Sequence, residues 1–531
     1  MQKRFFNSFA LLYSSFLFSV QILAQSTWYI NKSATGSNNG TSLSNGWKNF
    51  SYINWNNIKP GDMIVVADGI YNDQLQLFSG QNNITITGTG NTILDGQNSI
   101  DDGIYIDGTT HPVDNIYIKN LTFRNYTWAG IYGDGETTGR LSNITIDSCI
   151  FYDNIRSCVF FEGQDNIVNN YNLVIKNCNM NTPDNNDAQT DLIYVQYVND
   201  LTVDNCYLMV DNVALPGHND CIQTYWVDNT TLINNIAIQN NSKYTETQCF
   251  DIENGNGTHK IFNNIVYDVC NGNTADAKLF YQRSDNSAKA HAIFLNNTIY
   301  AHGGGMIDSQ DPNAIIENNI LYCTGVATTG TSTTSMIDFE SGRGANAIVD
   351  YNLYYDPTHE MIPSDGDAGS HSVYGNPLFM NISSPLSFDL GIGATSPAIN
   401  AGANLSNYFT TDANNHQRPA TGPWDIGAYQ HSSLADTQTG QNIPVTFILY
   451  QNYPNPFNPG TTIKYTIPAE GNVSIKIYDM VGKEVATILN EYKPAGTYTI
   501  KYNPKSLSSG VYFYRITSGS LTQTKKMIIL K

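Results

Sequence analysis

LVIKNCNM at 173–180 and LTVDNCYL at 201–208 are two settings of one octet, and seven more share its form. These are IYIKNLTF (116–123), ITIDSCIF (144–151), TLINNIAI (231–238), KIFNNIVY (260–267), IFLNNTIY (293–300), IIENNILY (315–322) and IVDYNLYY (348–355). Their fifth residues, Asn120, Ser148, Asn177, Asn205, Asn235, Asn264, Asn297, Asn319 and Asn352, recur at separations of 28, 29, 28, 30, 29, 33, 22 and 33. That period is too long for a hairpin and too regular for chance. A strand rises roughly 3.3 Å per residue and its neighbour sits about 4.8 Å away, so three short strands with their turns make one triangular coil of a solenoid. An Asn at a fixed place on each coil fits a turn residue near the left-handed region, with its amides stacked as a ladder. Alternating Ile, Val, Leu and Phe supply the inward rows.

A second strand row aligns as GIYGD, VFFEG, IYVQY, CIQTY, CFDIE, LFYQR, MIDSQ and MIDFE. With Ile131, Val159, Ile193, Ile222, Phe250, Phe280, Ile307 and Ile337 inward, the next column outward reads Tyr132, Phe160, Tyr194, Gln223, Asp251, Tyr281, Asp308 and Asp338. Two residues on it reads Asp134, Glu162, Gln196, Tyr225, Glu253, Arg283, Gln310 and Glu340. Rings stack on sugar faces while carboxylates and amides bond hydroxyls, so this mixture points to a glycan-binding face. The alternative is the solvated side that every solenoid has.

Composition agrees with an all-β chain. Only 14% of the 531 residues are charged, and no long amphipathic helix is legible. The 87 residues from 445 onward hold 10 Lys and Arg against 4 Asp and Glu, leaving 17 against 42 before them. So acidic a body repels phosphate backbones, which argues against nucleic-acid binding and disfavours a polyanionic glycan unless a divalent cation bridges the two. Lys3 and Arg4, the apolar run 9–23 and a cleavage site near Ala24–Ser26 form a signal peptide, and no other segment is long enough to span a bilayer.

Cys149, Cys178 and Cys206 follow the marker position on consecutive coils, and Cys221 and Cys249 share another row, so they read as stacked small apolar residues. One inter-coil disulfide remains geometrically open. No spacing suits zinc and no cofactor is expected. Asp184, Asp187 and Asp191 form an acidic turn that a calcium ion would fit only weakly.

Residues 80–360 resemble the right-handed parallel β-helix superfamily that includes pectate lyases and polygalacturonases. The handedness comes from that resemblance and from the preference of parallel crossovers. WYINKSATGSNNG from Trp28 and KPGDMIVVADGIYND (59–73) resemble the capping segment of bacterial relatives. SPAINAG (396–402), Arg418-Pro419 and DIGAYQ (425–430) resemble the C-terminal module of choice-of-anchor Q proteins. After a polar linker, YPNPFNP (453–459), GKEV (482–485), SGVYFYRI and a Lys-rich last strand resemble the type A sorting domain of the type IX secretion system.

The expected fold is therefore all-β: a right-handed parallel β-helix followed by a small Ig-like β-sandwich. The expected division is a signal peptide (1–25), an N-terminal cap and first coil (26–80), the β-helix (81–360), its C-terminal part (361–431), a linker (432–444) and the sorting domain (445–531). A secreted or cell-surface monomer follows, with a polysaccharide and the type IX machinery as partners. A glycoside hydrolase would use Asp251, Glu253 and Asp308, one carboxyl as acid and another handling water. A polysaccharide lyase would use Lys278, Tyr281 and Arg283 with His218 and Asp220, a base and a cation acting on a uronate. Tyr194, Gln196, Gln223 and Tyr225 complete the substrate-binding set with Tyr281, His218 and Asp220. A non-catalytic adhesin or glycan-binding scaffold is the alternative.

Overall fold

The computed structural model describes residues 25–78, 80–135, 140–164, 170–183, 191–211, 219–240, 248–268, 279–283, 290–301, 306–324, 335–339, 346–357, 368–382 and 388–431. In the tail it describes 448–449, 452, 455, 457–458, 460–467, 471–479, 483–493, 496–504, 507–518 and 521–529. The expected signal peptide up to residue 24, the linker, Asp184, Asp187, His218, Lys278 and Glu340 lie outside the described residues.

Three parallel sheets build a solenoid. The front sheet has ten strands, from Leu75–Leu77 to Ile337–Asp338. The base sheet has twelve, from Thr27–Ile30 to Ile348–Asp350, and the back sheet twelve, from Gly69–Tyr71 to Val373–Tyr374. Each strand bonds the equivalent strand one coil away. On the front sheet the register stacks Ile104, Ile131, Val159, Ile193, Ile222, Phe250, Phe280 and Ile307 in one inward file. All are buried in a single core. Each such side chain contributes roughly 1.5–3 kcal/mol, which is what holds a strand of only four residues in line. Within the lumen Phe123 stacks on Phe151 at 4.9 Å and Phe250 on Phe280 at 5.0 Å.

The corner between base and back sheets carries the Asn markers, with a one-residue correction. Asn120, Ser148, Asn177 and Asn205 have φ of 53–56°, as expected, but in the later coils the left-handed residue is Asn234, Asn263, Asn296, Asn318 or Tyr351. Asn235, Asn264, Asn297, Asn319 and Asn352 come one place later and are wholly buried. Thr202 pairs with Thr231, so the octet alignment slips by one there. The inward file after the left-handed residue thus runs Leu121, Cys149, Cys178, Cys206, Asn235, Asn264, Asn297, Asn319, Asn352. Its amides form the ladder: Nδ2 of Asn235, Asn264, Asn297 and Asn319 each donates to the next Oδ1 at 2.9–3.1 Å. The three cysteines continue the same file as small side chains, and every cysteine among the described residues is buried and outside any disulfide.

Residues beyond the last coil form a strap across the outside. Leu390 and Ala428 pack on Met209, Ile238 and Tyr267, while Leu405 and Trp424 pack on Phe262, Ile293 and Leu295. The left-handed Asn side chains of the coils point out to meet it. Asn263 donates to Thr411 O (2.9 Å), Asn296 to Gly427 O (2.8 Å) and Asn318 to Ala403 O (2.9 Å). Arg418 is buried, donates to Asn263 Oδ1 (3.0 Å), Gly427 O (2.9 Å) and Ala428 O (3.0 Å), and lies 5.2 Å from the Trp424 ring. Burial lowers its pKa to about 10.

The tail folds as antiparallel sheets of three and four strands, from Ile448–Leu449 to Leu521–Ile529, around one core that includes Ile463, Tyr465, Ile475, Tyr514 and Met527.

Candidate functional site

The front sheet brings most of the sequence-derived site residues into two outward files. Backbone register places Tyr105, Tyr132, Phe160, Tyr194, Gln223, Asp251, Tyr281, Asp308 and Asp338 side by side in that order. The second file includes Asp107, Asp134 and Glu162, and further on Gln196, Tyr225, Glu253 and Arg283. Strand alternation fixes both, because Phe250, Ile252 and Phe280 turn into the core between them.

Five of the predicted residues form one cluster. Arg283 contacts Glu253 and lies 3.5 Å from Asp251 Oδ2. Gln223 Nε2 donates to Glu253 Oε1 at 3.0 Å, and the Arg283 guanidinium sits 5.4 Å from the Tyr281 ring centroid. Asp251 and Asp308 are 0% exposed, although they point off the sheet. Burial foremost, then the Glu253 charge, pushes the Asp251 carboxyl well above the usual carboxylate range, with Arg283 pulling the other way. Burial works against the Arg283 cation, yet Asp251 and Glu253 outweigh it and raise its pKa.

The other residues fall into separate roles. Gln196 donates to Glu162 at 3.0 Å, and Tyr194 Oη donates to Gln196 Oε1 at 3.4 Å. Tyr225 packs edge-on against Tyr197 and Trp226. Asp220 is not on the outward face. It is wholly buried in a turn, where its Oδ1 accepts the Gln248 amide (2.7 Å) while its own amide donates to Asp191 Oδ1 (3.0 Å). Asp191 thus caps a backbone amide of the next coil. Among the described residues no group of three or more His, Cys, Asp or Glu is placed to hold a metal ion.

The aromatic file differs from a sugar platform in one respect. Tyr105, Tyr132, Phe160 and Tyr194 stack on each other at 5.0–5.3 Å with planes 19–32° apart, so their faces are largely occupied and their edges point outward. Phe160 is only 3% exposed. Sequence reasoning missed Trp128, which lies beside Phe160 at 5.9 Å with the Arg156 guanidinium 4.3 Å over its ring. Glu162, placed in the second outward column by the sequence but given no role there, accepts from both Tyr132 and Gln196. Glu162 was legible as a member of the second file, whereas Trp128 precedes the aligned row and carries no periodic signal.

Residues 451–530 match the family described as the secretion system C-terminal sorting domain. The tail is a type IX sorting domain, and the protein is directed to the outer surface of the cell. No curated protein matches the chain in sequence. Among solved structures it is similar to a GH136 lacto-N-biosidase from Eubacterium ramulus (11% identity, 61% of this chain and 66% of that one, TM-score 0.34). It is also similar to a DFA-IIIase from Arthrobacter chlorophenolicus (11%, 62% and 90%, 0.31) and to tailspike protein 4 of bacteriophage CBA120 (12%, 92% and 67%, 0.30). Likeness at this level bears on neither mechanism nor substrate. Among the described residues no helix is long and apolar enough to cross a membrane.

Proposed function

We propose that the front sheet binds a polysaccharide and that its carboxylates hydrolyse it. The observation that carries this reading is the placement of two carboxyls, Asp251 and Asp308, two coils apart on one outward file with Arg283 and Glu253 beside the first. Asp251, its pKa raised, is the acid that gives its proton to the leaving glycosidic oxygen. Asp308 takes a proton from water, whose oxygen bonds the anomeric carbon as the C–O bond breaks. Two strand spacings amount to about 10 Å, slightly wider than an inverting pair's roughly 6.5–9.5 Å, so the reaction requires the two side chains to lean together.

The lyase reading is weaker, because Arg283 is engaged by two carboxylates and is not available to a uronate. A scaffold that binds without cleaving is supported by the complete burial of Asp251 and Asp308. A polysaccharide panel decides among the three: new reducing ends mean hydrolysis, absorbance from unsaturated products means lyase action, and binding without either means a scaffold. Absence of binding to every polymer removes the glycan reading.

A further inference from the structure

The lumen behind this face is not apolar throughout. On the base sheet one inward file runs Leu201, Thr230, His259, Ala292, Ala314, every member buried. Past the imidazole the side chains shrink to two methyl groups, Ala292 and Ala314. Facing this file from the front sheet are the inward neighbours Gln282 and Ser309. Ser309 Oγ donates to Gln282 Oε1 (2.8 Å), the Asp311 amide donates to Ser309 Oγ (3.2 Å), and Asp311 Oδ2 accepts the Ala292 amide (2.9 Å). This chain of bonds links the two sheets at the corner where His259 is the register neighbour of Ala292.

Several polar atoms at that corner have no hydrogen-bond partner among the described residues: both ring nitrogens of His259, Thr230 Oγ1 and Gln282 Nε2. None can swing to solvent. A Cβ on Gly255 would sit 2.9 Å from His259 Cε1, so the turn already presses on the ring. Buried donors and acceptors are almost always satisfied, and where protein groups do not do it, water does. The neutral imidazole offers one donor and one acceptor, the hydroxyl both, and the amide a donor, which is the mixture that water bridges and a metal ion does not. Burial holds His259 neutral, with its pKa lowered to about 4. Asp311, the nearby anion, is committed to His291 and the Ala292 amide.

We infer that this corner of the lumen is an enclosed hydration site, in which ordered water bridges His259, Thr230 and Gln282. The site lies directly behind the outward cluster, since Gln282 stands between Tyr281 and Arg283 in the chain and Ser309 follows Asp308. It does not depend on what the outward face binds.

Two experiments on the full chain test it. A crystal structure fine enough to show solvent should place density within hydrogen-bonding distance of a His259 nitrogen and of Thr230 Oγ1 or Gln282 Nε2. An empty lumen, or direct pairing among these side chains, overturns the inference. Water-17O relaxation dispersion of His259→Phe should show the loss of at least one long-lived internal water relative to the unaltered protein, and an unchanged amplitude overturns it. If that variant fails to fold, Thr230→Val is measured in the same way and the crystallographic result stands on its own.

Discussion

The Nη2 atom of Arg283 lies 3.5 Å from Oδ2 of Asp251, a carboxyl with no exposed surface, and the same nitrogen contacts Glu253. One cation thus serves two neighbouring acids and partly offsets the burial that raises the pKa of the deeper one.

Replacing that cation should be costly. Arg283→Met leaves Asp251 and Glu253 facing each other. It is expected to lower stability by about 2 kcal/mol, less than a fully buried pair because the Arg283 side chain is 39% exposed. Denaturant titration checks the value. The loss should grow as pH rises, because the raised Asp251 carboxyl must then ionise beside Glu253 without its cation. Asp251→Asn keeps the shape of a protonated acid. Its melting temperature should stay within a few degrees, while release of reducing ends falls at least about 100-fold.

The Asn ladder makes a second prediction. Asn297 accepts from the amide and Nδ2 of Asn264 (2.9 and 3.1 Å) and donates to Ile261 O (2.8 Å) and Asn319 Oδ1 (2.9 Å). Asn297→Ala strands several of these groups in the core and should cost about 3 kcal/mol by chemical denaturation. Cys206→Asn should be tolerated, because it adds one rung to the file: the Cys206 amide already donates to Asn235 Oδ1 at 2.9 Å.

His259 sets a pH dependence with a definite sign. Its folded pKa, about 4, lies below the ordinary 6.5, so as pH falls the unfolded chain takes the proton first. The stabilisation is present above pH 6.5 and is lost as pH falls towards 4, by about 3 kcal/mol across that window. Asp228, Asp311 and His291 are the charged groups acting on it. Asp102, raised to about 7, acts in the opposite direction and loses its contribution as pH rises from 3.8 to 7. The clean measurement is the difference between the unaltered protein and His259→Phe. That difference should slope with pH between 4 and 6.5 and be flat above it.

Arg418 fastens the strap. Arg418→Met removes the donor to three strap and coil acceptors and should cost about 3 kcal/mol. Proteolysis under native conditions should then cut first between 398 and 430, with the coils still intact.

The sorting domain makes the last prediction. A chain ending at His431 should be retained inside the outer membrane, as cell fractionation would show, while its coils keep their fold.

Much of this was legible in the residues. The front-sheet files follow from period-two alternation, and each member from Tyr132 to Asp338 stands where the alignment put it, because one inward Ile, Val or Phe per coil leaves no freedom of register. The corner was harder. Doublets such as Asn234-Asn235 offer two residues suited to a left-handed turn, and only the pairing of Thr202 with Thr231 decides which takes it. The turn position of Asp220 was not legible, because a carboxylate capping a backbone amide has the same sequence signature as one facing a ligand. The depth of Asp251 and the mutual stacking of Tyr132, Phe160 and Tyr194 are properties of neighbouring coils, and no single coil's sequence encodes them.

The coils speak only to their immediate neighbours, whereas Arg418 reaches back 155 residues to Asn263. Folding of the rod can therefore advance coil by coil, like a ratchet, but its second half is locked only when the chain has been made almost to the tail. Closing that buckle is the last long-range event of the rod before the export address itself takes shape.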